Sequence, residues 1–213
     1  MTQAHRVIEV GLGNPPVHRM NEGEFIKWCR EGDGNRAEWV DGETVLMAPD
    51  NTEHNSIAGF VFTLMDGWSA RHGSGRVFFE NVQLRFPKIR RRRQPDLVFV
   101  SKERLHIIEK NHIEGPPDLV MEIVSPDSSA RDYRDKFIEY ERAGVKEYWV
   151  IDPLTQRVEA HVLGRARRYS RIPEKDGKIS SLVLTGFYVK SEWFWKKPLP
   201  NWLGILKEMG VIK

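Results

Sequence analysis

The stretch PDLVMEIVSPDSSARDYRDKFIEYERAGVKEYWVIDP, residues Pro117–Pro153, decides the fold of this chain. Its first part, Asp118–Val124, is a short apolar run bounded by prolines, which predicts a strand that is covered on both faces. Its last part, Lys146–Asp152, is a second run of the same kind. Because a helix and short connections separate the two strands, we expect a parallel pair with a right-handed crossover.

The helix between the two strands has recognisable ends and one apolar face. Ser129 and Asp132 have the spacing of a capping box, and Gly144 is a typical C-terminal stop. Lys136 borders the apolar face instead of pointing to water. The aromatic residues of that face, which we expect to pack on the sheet, are Tyr133, Phe137 and Tyr140.

A single carboxylate interrupts each of two apolar strands. Strand periodicity puts Glu122 on the same face as Val120 and Val124, where a charge is costly unless it is paired or holds a cation. Asp96 stands near the start of another apolar strand, Gln94–Val100. If the two strands are neighbours, the two carboxylates project from the same side and meet.

Two close carboxylates repel each other unless a cation neutralises them. Hard oxygen ligands of this kind select Mg²⁺ or Mn²⁺, which can supply a hydroxide-like nucleophile for phosphodiester hydrolysis. Lys136 is then placed to orient the water or to stabilise the transition state. The alternative is a buried ion pair between Glu122 and Lys136, with Asp96 as a turn residue after proline.

The composition is that of an ordinary globular protein. The chain has 213 residues, 40% of them hydrophobic and 30% charged, with a formal net charge of +3, which suits one domain with a substantial core. Its single cysteine, Cys29, excludes an intramolecular disulfide and is typical of a reducing cytoplasm. Since no apolar run has membrane-spanning length and no secretory leader is evident, we expect a cytoplasmic protein without a membrane partner.

The rest of the chain supplies elements that surround the central unit. Three tryptophans, Trp193, Trp195 and Trp202, mark a tail that we expect to pack on the body. The other predicted elements are an arm over residues 1–20, a helix from Asn21 to about Arg30, a hairpin at Asp41-Gly42, a helix over 53–72, a strand over Arg76–Phe86, a polar connection over 101–116 and a hairpin around Gly164.

A basic block lies between two predicted strands. It contains Lys88 and four consecutive arginines, Arg90, Arg91, Arg92 and Arg93. Such a block is a standard contact for a phosphate backbone, and it is also compatible with a solvated loop.

The order of these residues resembles that of the PD-(D/E)XK nuclease superfamily. The motifs that carry the likeness are Pro95-Asp96, the glutamate of MEIVSP and the lysine of RDKFIEY. More closely, the chain resembles a large bacterial family of restriction-endonuclease-like proteins that was long known as a domain of unknown function. This likeness covers about residues 21–190 and includes EWVDGETVLMAP, the following His54, QPDLVFV and LTGFYVKSEWFW.

The resemblance implies an α/β (α+β) fold with a restriction-endonuclease-like core. Helices would flank a twisted mixed β-sheet, and an N-terminal helix and β-hairpin would precede it. Residues 1–20 would be an arm, 21–190 the nuclease-like domain and 191–213 a packing tail of the same domain. The implied activity is cleavage of DNA with Mg²⁺ or Mn²⁺, and a homodimer is expected by analogy.

The resemblance also implies roles for individual residues. Asp96 corresponds to the motif aspartate and Glu122 to the second metal ligand. The superfamily's lysine would fall at Val124, so Lys136 resembles a lysine that has migrated to the adjacent helix. The block Arg90–Arg93 would contact DNA.

Further positions admit two interpretations each. Glu38 matches an acidic position of the family and would be a third ligand, hold the metal's water, or be a surface residue at a strand end. His54 would bind a phosphate or a ligand carboxylate, or be a core residue. Ser125 and Asp127 would assist the site or simply follow the end of the strand, whereas Tyr140 and Trp149 are assigned to packing.

Two other classes of function compete with an endonuclease. The chain could be a nucleic-acid-binding protein with an incompetent site, which the valine at position 124 favours. It could also be a structural or protein-interaction module that uses the tryptophan-rich tail.

Overall fold

A computed structural model describes residues 18–31, 36–126, 128 and 131–213. The helices are α1 (Glu22–Glu31), α2 (Thr52–His72), α3 (Phe137–Ala143) and α4 (Trp202–Glu208). The strands are β1 (His18–Arg19), β2 (Ala37–Val40), β3 (Glu43–Leu46), β4 (Gly75–Phe79), β5 (Leu84–Phe86), β6 (Arg91–Arg93), β7 (Leu97–Ser101), β8 (Ile113–Glu114), β9 (Leu119–Ile123), β10 (Glu147–Asp152), β11 (Arg157–Leu163), β12 (Tyr169–Arg171), β13 (Ile179–Ser180) and β14 (Tyr188–Val189). A π-helical turn covers Arg131–Lys136, and 3₁₀ turns cover Pro87–Ile89, Lys102–Ile107 and Ser191–Trp195.

The main sheet has the strand order β12-β11-β10-β9-β7-β4. Its strands β9 and β10 run parallel, and the other neighbours are antiparallel, so the expected mixed sheet is confirmed. The strands that carry Asp96 and Glu122 are also neighbours, because Leu97 of β7 pairs with Met121 of β9. The hand of the crossover from β9 to β10 stays a prediction.

A second sheet has the order β1-β3-β2-β6-β5-β8, and β13 pairs with β14. The predicted hairpin at Asp41-Gly42 is confirmed, because Val40 pairs with Glu43 and both turn residues have positive φ. A capping box starts α1. The amide of Asn21 donates to Glu24 (2.8 Å), and the amide of Glu24 donates to Asn21 (3.0 Å).

The core covers both faces of the main sheet, as the short apolar run of β9 predicts. Leu119, Met121 and Ile123 of β9 face a cluster that includes the buried stripe of α2. Val120 and Val124 face a second cluster that contains Tyr140, Tyr148 and Val150. Each such side chain contributes about 2 kcal/mol by leaving water, so β9 is anchored in both directions.

The C-terminal tail packs on α2. Trp193 and Phe194 are buried, and both rings contact Phe60 edge to face. Leu206 of α4 lies against Gly67 of α2. Within the described parts of the chain, no helix is long and apolar enough to span a bilayer.

Two predictions about the middle of the chain are wrong. Arg76–Phe86 is not one strand, because Glu80 and Asn81 have left-handed backbones that separate β4 and β5 into different sheets. Arg91–Arg93 is not an exposed connection but the strand β6, which pairs with β2 and β5. Carboxylates on both sides of β6 neutralise its arginines, which is why so basic a segment lies inside a sheet.

Three expectations fall on residues outside those that the structure describes. They concern residues 1–17 of the arm, the role of Asp127 and the cap formed by Ser129. The chain enters α3 through the π-helical turn, and it leaves α3 at Gly144, whose left-handed backbone (φ 96°) confirms the predicted stop.

Candidate active site

A cavity of about 250 Å³ lies where β7, β9, the start of α2 and the π-helical turn meet. We call it the acidic cavity. Four of the five residues predicted to be catalytic line it, and Asp132 joins them. The charged side chains of its wall include Asp50, His54, Asp96, Glu122, Arg131, Asp132 and Lys136.

Lys136 lies at the centre of the carboxylates of this site. Its Nζ is 2.8 Å from Oε2 of Glu122, 3.1 Å from Oδ1 of Asp132 and 3.7 Å from Oε1 of Glu38. Burial opposes its charge, but Asp132 and Glu122 raise the pKa of Lys136 well above its usual value, so the ammonium stays protonated. The amine of Lys136 therefore reaches Glu122 from the adjacent helix. The same contact is the buried ion pair between Glu122 and Lys136 that the alternative interpretation requires.

Glu122 is the acid with the least favourable surroundings. Its Oε1 accepts a hydrogen bond from the hydroxyl of Tyr140 (2.8 Å). Burial raises its pKa most, and the charges of Asp132 and Asp96 raise it further against the lowering effect of Lys136, to about 8. The pocket thus favours an additional positive charge or a proton near Glu122.

Asp96 is fixed by a backbone amide and a histidine. Its Oδ2 accepts from the N–H of Ile123 (2.6 Å) and lies 3.2 Å from Nε2 of His54. Burial opposes the charge of His54, but the hydrogen bond to Asp96 and the charges of Asp96 and Asp50 raise the pKa of His54 to about 9. His54 is therefore buried in the acidic cavity as an imidazolium beside Asp96.

Glu38 is buried, so its interpretation as a surface residue is wrong. Its Oε1 accepts from the amide of Gln94 (3.0 Å), and its Oε2 accepts from Arg93 (2.6 Å). Burial raises its pKa, but Lys136 and Arg93 outweigh this and lower the pKa of Glu38 to about 2. Both oxygens of Glu38 have partners that hold the carboxylate in place, so Glu38 is suited to fix the position of the Lys136 amine.

The basic block is mostly committed to ion pairs inside the protein. The Nε atoms of Arg91 and Arg93 each lie 2.6 Å from Glu139, and Nε of Arg92 lies 2.7 Å from Glu22. Only Arg90 has a largely exposed side chain, at 65% of its maximum area. Of the four arginines predicted to contact DNA, three are therefore drawn into the fold.

The sequence interpretation missed two residues of the site. Tyr140 was assigned to packing, but its hydroxyl contacts Glu122, and Asp132 was assigned to a helix cap, but it contacts Lys136. A signal was available, since Asp132, Lys136 and Tyr140 follow one another at intervals of four and share one helical face.

The donor atoms of the acidic cavity fit a divalent ion with a small protein ligand set. Among the described residues, no group of three or more His, Cys, Asp and Glu side chains is placed to hold a metal. Magnesium typically takes one or two carboxylates together with waters and substrate phosphates. Asp96 and Glu122 can provide the two carboxylates. Oδ1 of Asp132 is buried without a hydrogen bond, and the Lys136 ammonium lies 3.1 Å from it.

A twisted mixed sheet flanked by helices defines a restriction-endonuclease-like fold, and here one cavity is lined by an aspartate just before β7, a glutamate of β9 and a lysine of the π-helical turn. The structure is similar to one titled as a putative nuclease belonging to DUF820 from Anabaena variabilis ATCC 29413. The TM-score is 0.68 at 18% identity, with 83% of this chain and 97% of that chain covered.

A family model described as "Putative restriction endonuclease", Uma2, matches residues 23–190. The chain belongs to the Uma2 family. No curated protein matches the sequence.

Proposed function

We propose that this chain is an endonuclease that hydrolyses DNA phosphodiester bonds with Mg²⁺ or Mn²⁺ held by Asp96 and Glu122. The observation that supports this most is the position of the Lys136 amine, 2.8 Å from Glu122 in a cavity that Asp96 also lines. A permanently charged lysine beside two carboxylates is an arrangement suited to a phosphate that must be bound and attacked. Family membership supports the class of reaction.

Each residue has a distinct task in this proposal. The divalent ion, when bound, would neutralise phosphate charge and lower the pKa of a water molecule. Lys136 donates a hydrogen bond to the attacking water or to a phosphate oxygen. Glu38 and Asp132 orient Lys136, and His54 fixes the Asp96 carboxylate in the orientation in which Oδ2 also accepts from the Ile123 amide.

DNA contact outside the acidic cavity is proposed for Arg90 and Lys88, because both are exposed on the same short connection. Arg92 and Arg93 are assigned to the architecture of the site instead. A homodimer is proposed by analogy, since two copies with one site each can cut the two strands of a duplex together. Sedimentation with and without a DNA duplex tests the dimer.

The test of the activity is cleavage of supercoiled plasmid by purified protein with Mg²⁺, with Mn²⁺ and with a chelator. We expect cleavage only with metal. Asp96→Asn, Glu122→Gln and Lys136→Met should each lower the rate at least about a hundredfold, as loss of a charge-stabilising group typically does. Lys146→Met is the matched control, because Lys146 pairs with Asp118, a buried carboxylate just before β9 and outside the cavity.

A second candidate is a nucleic-acid-binding protein that does not cut. It is favoured by the fact that the ammonium of Lys136 already occupies the space between Glu122 and Asp132, as in a purely structural ion-pair cluster. It predicts salt-sensitive DNA binding with no effect of metal on the DNA. Cleavage that survives in both Asp96→Asn and Glu122→Gln would overturn the endonuclease assignment to this cavity.

A further inference from the structure

A second cavity, of about 400 Å³, lies on the α1 side of β6. We call it the basic cavity, because three arginines line it and, among the described residues, no acidic side chain does. The residues that matter to its chemistry are Cys29, Arg30, Arg36, Asn81, Gln83 and Arg92.

The carboxylates behind this wall do not neutralise its cations one for one. Glu22 accepts from Arg92 (2.7 Å), but it must also serve Arg85 (2.6 Å). Arg30 is exposed in the last turn of α1 and forms no ion pair with any residue that the structure describes. The basic cavity therefore has an excess of positive charge, which favours an anionic ligand.

Arg36 carries donors that no described residue satisfies. Its Nη1 pairs with Asp50, whereas its Nε and Nη2 are buried without a hydrogen-bond partner in the described part of the chain. Buried donors of this kind cost free energy until an acceptor reaches them. Nε and Nη2 are neighbouring donors on one side of the guanidinium, and such a fork binds two oxygens of one anion.

Two amide side chains of the wall add further donors. Oε1 of Gln83 accepts from Nη1 of Arg92 (3.2 Å), and Oδ1 of Asn81 accepts from Nε2 of Gln94 (3.1 Å). Because their oxygens are already used, the groups that Gln83 and Asn81 can offer to a ligand are N–H donors. The amides therefore select the same kind of ligand as the arginines, namely one rich in acceptors.

A phosphate group suits this wall best. It presents several acceptor oxygens and a negative charge, which match a guanidinium fork together with further donors. A carboxylate would occupy the fork of Arg36 but leave Arg30 without a partner. The cavity volume lies in the range of small-ligand sites, so the group that the phosphate esterifies has room as well.

We propose that the basic cavity binds a phosphate group through the Nε and Nη2 fork of Arg36, the guanidinium of Arg30 and the amides of Asn81 and Gln83. The phosphate belongs either to a nucleic acid backbone or to a small free phosphate. One ion pair separates it from the acidic cavity, because Arg36 lines the basic cavity and its partner Asp50 lines the acidic one. The site does not depend on the endonuclease activity.

The test uses Cys29, the only cysteine of the chain, as a reporter on the cavity wall. Burial raises the pKa of the Cys29 thiol against the lowering effects of Gln83 and Arg92, so the full-length protein is alkylated in mildly alkaline buffer. An anion beside the thiol disfavours the reactive thiolate and slows the reaction. The probes are inorganic phosphate and a single strand of about twelve nucleotides, with a chelator present so that no strand is cut.

We expect at least one of the two probes to slow alkylation about tenfold, as a rise of one unit in the thiol pKa would. Chloride at equal ionic strength should have little effect. Protection by the strand alone assigns the phosphate to a nucleic acid backbone, and protection by inorganic phosphate assigns the site to a small free phosphate. No protection by either probe, or equal protection by chloride, would overturn the proposal.

Arg30→Met tests the assigned contact, and Lys27→Met is its matched control. Lys27 is exposed on the same helix and pairs with Glu31 outside the cavity. Arg30→Met should raise the concentration of probe needed for protection about tenfold, as loss of one charge-assisted hydrogen bond would, and Lys27→Met should not. Equal effects would show a general attraction to positive charge and contradict the site. Arg36→Lys keeps a cation beside Asp50 but lacks the fork, so unchanged protection in this second variant would also contradict it.

The result is separable from that of the cleavage test, because alkylation is measured with a chelator. A phosphate that binds only in the acidic cavity leaves the Cys29 thiol unprotected. Protection in a protein that cuts no DNA would support the basic cavity and refute the endonuclease. Cleavage without protection would do the opposite.

Discussion

The two ends of β9 each bear a buried carboxylate beside a lysine, but with opposite electrostatic consequences. Asp118, just before the strand, accepts from the amide of Ser101 (2.8 Å) and lies near Arg104 (3.1 Å) and Lys146 (2.7 Å). Although burial opposes its charge, these donors together lower the pKa of Asp118. Glu122 must share Lys136 with Asp132 and Glu38, and its pKa is raised.

The difference separates a structural carboxylate from a functional candidate on one short strand. A carboxylate that has its own donors stabilises the fold and is chemically inert. A carboxylate that competes with others for one cation retains affinity for a further cation or a proton, which is the state expected of a metal or catalytic site. The comparison also explains why burial alone did not identify the site, since both groups are fully buried.

The largest expected effect comes from removing the lysine at each end. Lys136→Met leaves two buried carboxylates, Glu122 and Asp132, without their cation and should cost about 4 kcal/mol of unfolding free energy at neutral pH without metal. Lys146→Met should cost less than about 1 kcal/mol, because the lysine is 54% exposed and Asp118 keeps two other donors. Urea unfolding measures both. Equal losses would show that Lys136 is not the main counter-charge of the site.

The next effect comes from neutralising the acids. Asp118→Asn should cost about 3 kcal/mol, because the new amide group faces Arg104 and Lys146. Glu122→Gln should cost less than about 1 kcal/mol or stabilise the protein, since it removes one of several competing charges. A larger loss in Glu122→Gln than in Asp118→Asn, measured by the same unfolding experiment, would reverse the interpretation of the two ends.

Much of this architecture could be predicted from local sequence. The prolines around β9 and the glycine stop at Gly144 predicted the central unit, and the positions of two carboxylates on neighbouring strands predicted that Asp96 and Glu122 line one cavity. These features depend on periodicity and on residues close in the chain. That is why they could be inferred without the structure.

The remaining features depend on contacts between distant residues. The sequence around Arg92 and Arg93 predicts an exposed loop. In the structure Arg92 pairs with Glu22, 70 residues away, and Arg93 pairs with Glu139, 46 residues away. The approach of Lys136 to Glu122 depends on a π-helical turn, in which the backbone hydrogen bonds span one residue more than in an α-helix. No sequence pattern predicted this turn. The role of Tyr140 was missed because a buried aromatic ring in a helix is usually packing.

The pH dependence of stability should differ between the two ends. The folded pKa of Glu122, about 8, exceeds its usual 4.5, so the folded state keeps a proton that the unfolded state has lost. Stability from this group therefore falls as pH rises from about 5 to 8, by up to about 1.4 kcal/mol per pH unit. Glu122→Gln should flatten that part of the profile.

Asp118 should behave in the opposite way. Because its folded pKa is lowered, its contribution is present above the usual pKa of 3.8 and is lost as pH falls through the lower folded value. The penalty of Asp118→Asn should therefore be full at neutral pH and vanish in acid. Metal-free unfolding across pH measures both profiles, and parallel profiles for the two variants would contradict the assigned shifts.

The smallest effect distinguishes two buried tyrosines near the same cluster. The hydroxyl of Tyr140 donates to Glu122 (2.8 Å), whereas that of Tyr148 donates to the backbone carbonyl of Asp132 (2.8 Å). Each change to phenylalanine should cost about 1 kcal/mol for the lost hydrogen bond. Only Tyr140→Phe should also move the alkaline limb of the stability profile to higher pH. The hydroxyl of Tyr140 favours the ionised form of Glu122, so losing it raises the pKa of Glu122. If Tyr148→Phe moves that limb equally, the hydroxyl of Tyr140 acts through general packing and not through Glu122.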